Sequence, residues 1–128
     1  MALSNSKIVF DTNMLLAITQ FKTDVVGQVK ELLGQNAKLF VTGNVMKELE
    51  VIASERIKQE KDIKIIKEIL EKNGVNVVEV AGNTDDGLLE LAGRDFLVAT
   101  NDKALRKRIK SIGRKIIYLR KKKLIELE

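Results

Sequence analysis

Apolar positions along this chain follow two alternating rhythms. Short continuous runs read as buried strands: Lys7-Ile8-Val9-Phe10, Lys38-Leu39-Phe40-Val41, Val75 to Val80, Phe96-Leu97-Val98-Ala99 and Ile116-Ile117-Tyr118-Leu119. Between them lie longer stretches with helical spacing. Asn13 to Thr19 and Asp24 to Leu33 read as helices parted near Phe21-Lys22-Thr23, with Gly34 as a stop. Gly43-Asn44 opens a helix to about Ser54. Glu55 to Lys72 is a charged helix whose Ile63, Ile66 and Leu70 share one face, while Lys61, Lys64 and Lys67 line another. Thr84-Asp85-Asp86 opens a helix ending at Gly93, and Asp102 to Ile112 is helical up to Gly113. The segment Lys123 to Leu127 can add a short edge strand.

Continuous apolar strands alternating with helices predict a parallel sheet covered on both faces. The expected fold class is α/β: a three-layer α/β/α sandwich around a central parallel sheet of about five strands. No linker composition or internal repeat interrupts it, so a single domain over residues 1–128 is expected, with a basic tail over 120–128.

Composition narrows the chemistry. The 128 residues include no cysteine and no histidine. Thiolate zinc sites, cysteine nucleophiles and Ser-His-Asp triads are excluded. Hydrolysis would have to use carboxylates, lysine, a hydroxyl or a carboxylate-bound metal, and a hard cation such as Mg²⁺ or Mn²⁺ suits oxygen ligands. The net charge of +5 favours an anionic partner. No apolar run reaches a membrane span, and Met1 to Ser6 is too short and polar for a signal peptide, so a cytoplasmic location is expected.

In open α/β folds, ligands bind beyond the carboxyl ends of the strands. Asp11-Thr12-Asn13 follows the first strand, and Thr42 to Glu48 follows the second. Thr84-Asp85-Asp86 comes shortly after the third, and Thr100-Asn101-Asp102 follows the fourth. Acids therefore gather at one sheet edge. Glu48 lies a turn inside its helix, but its side chain leans back towards that edge. Taken singly, Asp11, Asp85, Asp86 and Asp102 each read as helix caps, and Glu48 as a solvated residue near a helix start. Taken together, the shared edge favours a site. Phosphodiester hydrolysis needs activated water and stabilised charge on the leaving oxygen, and one or two divalent cations supply both.

Phe10-Asp11-Thr12-Asn13, Val45-Met46-Lys47-Glu48-Leu49, Asp85-Asp86-Gly87-Leu88-Leu89-Glu90-Leu91-Ala92 and Ala99-Thr100-Asn101-Asp102, in this order and spacing, resemble the PIN-domain nucleases over residues 7 to about 127. The resemblance implies a small α/β/α fold and RNA cleavage dependent on Mg²⁺ or Mn²⁺. It implies that Asp11, Glu48, Asp86 and Asp102 form the acidic, metal-holding quartet. Asn13 and Thr100 would orient metal, water or the first acid, and Asp85 would be an outer acid or a cap. Gly87 departs from the family, which more often has alanine there. The late segment Ala99 to Arg106, followed by Ile116 to Arg120, is most similar to the branch that cuts pre-ribosomal RNA. Compact toxins of toxin–antitoxin pairs are the near alternative, and a non-catalytic RNA-binding assembly factor is a further one. Receiver and dehalogenase domains fit less well, because the paired acids are Asp85-Asp86 and position 13 is Asn13.

Between Lys103 and Lys123 there are eleven Lys or Arg residues and no acid. A one-signed run beside the acids reads as phosphate-binding, with Lys103, Arg106, Lys107, Arg120, Lys121 and Lys122 as RNA contacts. Phe10, Phe40 and Phe96 sit in strands and read as core, so base stacking on aromatics is a poor source of specificity. The expected partner is RNA, ribosomal or its precursor. A homodimer through the apolar helix faces between Met46 and Leu70, or a protein partner, is also expected, and no membrane.

Overall fold

The computed structural model describes residues 6–128; Met1 to Asn5, the start of the segment read above for a signal peptide, lie outside the described residues. The elements run β1 (Lys7–Phe10), α1 (Thr12–Gln20), α2 (Val25–Leu33), β2 (Lys38–Thr42), α3 (Gly43–Glu55), α4 (Ile57–Lys72), β3 (Asn76–Val78), α5 (Thr84–Gly93), β4 (Phe96–Ala99), α6 (Lys103–Ser111), β5 (Ile116–Arg120) and β6 (Leu124–Leu127). The sheet order is β3-β2-β1-β4-β5-β6. The first five strands are parallel, and β6 turns back antiparallel onto β5. This is the expected α/β architecture, with the C-terminal segment adding a sixth strand.

Strand alternation divides the core in two. Ile8 and Phe10 face one side, where α1, α2, α3 and α4 contribute Leu15, Val29, Leu49 and Ile66. Val9 faces the other, where α5 and α6 contribute Leu88, Leu91, Leu105 and Ile109. Both faces of β1 are therefore covered, which is why its apolar run is unbroken. The predicted third strand, Val75 to Val80, shortens to Asn76–Val78, an edge strand with Val77 exposed. Of the helix faces between Met46 and Leu70 read as a homodimer surface, Ile63, Ile66 and Leu70 are buried inside the chain's own core, while Val51 and Ile65 are exposed.

Gly87 is explained locally. A Cβ there would lie 2.5 Å from a Val80 methyl, so the segment leading into α5 packs directly on the helix backbone. Alanine would push that segment away.

Candidate functional site

Register places the first half of the site. Phe10 pairs with Val41 on one side and Ala99 on the other, so the central strands end level. The backbone N–H of Asp11 donates to the Ala99 carbonyl at 2.9 Å. Asp11 and Thr100 therefore emerge side by side. Thr100, fully buried, donates its hydroxyl to Asp11 Oδ2 at 2.7 Å and accepts from the Asp102 N–H at 3.1 Å. Asn13 donates from Nδ2 to the same Asp11 oxygen at 3.3 Å, while its Oδ1 accepts from the Asn101 N–H at 3.1 Å. Asp11 Oδ1 accepts from the Thr12 N–H at 2.7 Å.

The cap and site readings coexist. Asp11 stands at the N-cap of α1, and Asp102 caps α6 by accepting from Ala104 and Leu105 N–H groups with Oδ1 alone. Its Oδ2 is not used in that cap. The N-cap of α5 is Asn83, not either aspartate.

Helices bring the second half. Glu48 projects from α3, and its carboxylate accepts from the Thr12 hydroxyl and, at 2.9 Å, from Thr84. Asp85 lies in the first turn of α5. Burial is the main cause that holds the Asp85 carboxyl above the usual aspartate range, followed by the charge of Asp102; Arg108 opposes the shift, while Glu48 and Asp86 add to it. Asp11, 5% exposed, is also raised, chiefly by burial. Hydrogen bonds from Thr100 and Thr12 lower it, and the charges of Asp85 and Glu48 raise it.

The structure thus turns Asp85, and not Asp86, towards the other acids. Asp86 was expected in the quartet, but its carboxylate accepts from Arg108 at 2.9 Å, on an exposed surface between α5 and α6. Successive helical residues point about 100° apart, so only one of two adjacent aspartates can face the site. Asp11, Glu48, Asp85 and Asp102 act on one another through their charges, and Asp86 adds to the field at Asp85 while its carboxylate is paired with Arg108. A cleft of about 330 Å³ is lined by Glu48, Asn83, Thr84, Asp85 and, from α6, Arg108.

A hard divalent cation suits this donor set. Every candidate ligand is an oxygen, and the charges acting on Asp11 are acidic. Among the described residues, however, no three acids close to ligating distances. Glu48 is held instead by the two threonine hydroxyls.

The basic run is partly spent. Arg106 lies 4.5 Å over the Tyr118 ring and 3.7 Å from Glu128, which also pairs with Lys110. Arg114 pairs with Asp95 and Arg120 with Glu126. Lys122 lies over Phe21. Lys103, Lys107 and Lys121 have no acidic partner among the described residues. Lys103 and Lys107 join Arg106 and Lys110 around a basic hollow on α6.

Sequence reasoning assigned no role to Thr12, Thr84 or Asn101. The first two tether Glu48. Asn101 completes the β4–β5 junction, its amide donating to the Leu119 carbonyl at 3.1 Å and accepting from the Leu119 N–H at 2.8 Å. The available signal for the threonines was a hydroxyl near the acid after three of the strands: Asp11-Thr12, Thr84-Asp85 and Thr100 before Asp102.

Comparison with known proteins gives the chain's family and fold. The chain is 33% identical over 129 residues to Ribonuclease VapC9 of Archaeoglobus fulgidus, covering 97% of this chain and 93% of that one. It is 24% identical over 125 residues to Ribonuclease VapC4 of Methanocaldococcus jannaschii, covering 94% and 95%. The solved structure of the PIN domain endonuclease Utp24 shares the fold, with a TM-score of 0.76, 24% identity, and coverage of 98% of this chain and 92% of that one. The family model described as PIN like domain matches residues 8–122, and on that match the chain belongs to the PIN-domain nuclease family.

Proposed function

We propose that this chain is a metal-dependent endoribonuclease that hydrolyses phosphodiester bonds in single-stranded RNA. One observation carries the reading: a nearly buried carboxylate, Asp11, stands at the sheet edge in the field of further acids. Such a grouping disfavours its own ionisation and is hard to justify by stability alone. The resemblance of the relatives named as ribonucleases points to RNA as the substrate.

In this reading Asp11, Glu48, Asp85 and Asp102 hold one or two Mg²⁺ or Mn²⁺ ions. The bound cation supplies charge neutralisation and Lewis acidity at the scissile phosphate. Thr100 and Asn13 hold Asp11 in place, and Thr12 and Thr84 hold Glu48. Asp86 positions Arg108 beside the cleft, where its guanidinium meets the RNA backbone, with Lys103 and Lys107 next to it. Water attacking in line on phosphorus would form the new P–O bond as the bond to the 3′-oxygen breaks and that oxygen takes up a proton, giving 5′-phosphate and 3′-hydroxyl ends.

The test is cleavage of single-stranded RNA with Mn²⁺ by the wild type and by Asp11→Asn. A fall on the order of a hundredfold or more is expected. Equal cleavage by both proteins, or RNA binding without metal-dependent cleavage, would overturn the assignment. Two cellular roles suit the activity: processing of ribosomal RNA or its precursor, and a toxin held by an antitoxin. Growth arrest on expression, relieved by Asp11→Asn, selects the toxin. Accumulation of unprocessed ribosomal RNA in a deletion strain selects processing.

A further inference from the structure

A second cleft, larger than the one lined by Glu48, Asp85 and Arg108, adjoins it. It has a volume of about 570 Å³ and opens alongside α3, and it shares Glu48, Asn83 and Thr84 with the acidic cleft. Its floor is a single helical stripe. Residues 44, 47, 48, 51, 52 and 55 line it, the spacing of one face of α3. Along this stripe the chemistry changes. Glu48 belongs to the acids, but one turn further on come Val51 and Ile52. Val51 is 50% exposed, and among the described residues nothing covers it.

The polar groups at the rim are also arranged for recognition. Asn44 donates from Nδ2 to the Gly82 carbonyl at 2.9 Å, which leaves its Oδ1 as an acceptor. Asn83 uses its Oδ1 to cap α5, which leaves its Nδ2 as a donor. Lys47 and Arg56 line the same cleft, and neither has an acidic partner among the described residues. An apolar wall, one spare acceptor, one spare donor and the cations Lys47 and Arg56, with the exposed acid Glu55 beside them, form a mixed rim that fits a nucleobase with its attached phosphate.

We propose that this cleft is a base subsite, taking the nucleobase of the residue that flanks the scissile phosphate. The choice of occupant follows from continuity. A phosphate at Glu48 puts the next base one helical turn away, over Val51. The inference rests on the nuclease reading of the acids. It adds to that reading a source of sequence preference that does not depend on aromatic stacking.

The discriminating variant is Val51→Trp, which fills the cleft from an exposed position and leaves the acids intact. With single-stranded RNA and Mn²⁺, its KM is expected to rise roughly tenfold with kcat little changed, the signature of lost uniform binding. An RNA with an abasic residue at the flanking position should show the same loss with the wild-type protein, and Val51→Trp should add little to it. In parallel, methyl NMR of Asp11→Asn without metal reads binding directly. Short single-stranded RNA should shift the Val51 and Ile52 methyl signals. Unchanged KM in Val51→Trp, or unmoved methyls with an RNA that the wild type cleaves, overturns the subsite. Moved methyls with no RNA cleaved by the wild type remove the nuclease reading, and the subsite, defined by a scissile phosphate, falls with it although the cleft binds RNA. A change of sedimenting mass in Val51→Trp with unchanged KM makes the cleft a contact between copies of the chain, and the base subsite falls.

Discussion

The two halves of the acidic cluster are held by different means. Asp11 and Asp102 issue from neighbouring parallel strands, and the buried Thr100 hydroxyl joins them. Glu48 and Asp85 come from α3 and α5, which approach from opposite faces of the sheet. Only side-chain hydroxyls reach across to Glu48. The strand half is therefore positioned by the backbone ladder, while the helical half can adjust by rotamer changes. The difference teaches that one side of the acidic cluster is set by the fold and the other by side-chain contacts alone. Under the nuclease reading proposed above, a cation would meet one preset half and one adjustable half.

Substitutions can break this comparison in graded ways. Asp85→Asn should have the largest effect, a loss of RNA cleavage of roughly a hundredfold at fixed Mn²⁺. Asp86→Asn should stay within about threefold, because an exposed ion pair contributes little. Equal losses in the two variants would show that the helical half is not organised as described. Thr100→Val comes next. It removes a buried hydroxyl that serves two partners, costing about 1–3 kcal/mol by denaturant unfolding and roughly tenfold in cleavage. Thr84→Val removes only one of two tethers on Glu48, so a loss of a few-fold is expected, with a Tm within a few degrees of wild type. If Thr84→Val proved as damaging as Thr100→Val, the rigid and adjustable halves would be indistinguishable.

The smallest effect concerns pH. Asp11 and Asp85 are held above their ordinary pKa of 3.8, burial being the first cause for both. The folded chain therefore binds protons that the unfolded chain has already lost. The destabilisation is complete above the raised folded values and disappears as pH falls through them towards 3.8. Without metal, Asp11→Asn should melt above wild type at neutral pH, by a few degrees. The gap should narrow on acidification, and Mn²⁺ should raise the wild-type Tm more than the variant's. A gap that widens on acidification would contradict the sign.

The central strands were legible because burial on both faces leaves no polar interruption. Lys7–Phe10 and Phe96–Ala99 match the expected limits to the residue. The edge strand β3 was overextended, since Val75 and Val80 are apolar for packing reasons outside the ladder. The placement of Asp11 and Asp102 at one sheet edge could be read because a strand end fixes where the next residue emerges. Asp85 and Asp86 could not be separated, because both occupy the first turn of α5 and rotation about its axis decides between them. Pairings between distant segments, such as Thr84 with Glu48, leave no local pattern. The basic run looked uniform in sequence, yet Glu126 and Glu128, distant from α6 in the chain, fold back to neutralise part of it.

The Thr100 hydroxyl has a single proton, and that proton is committed to Asp11. Its lone pair is committed to the amide of Asp102, where α6 begins. The chain of hydrogen bonds therefore has a direction, and it cannot be reversed without setting two donors face to face. Loss of charge at Asp11 would weaken the acceptor at one end and, through polarisation, the hold on Asp102, the N-cap of α6, at the other. The seating of the α6 N-terminus is thus tied, through one hydroxyl, to the carboxylate that follows β1.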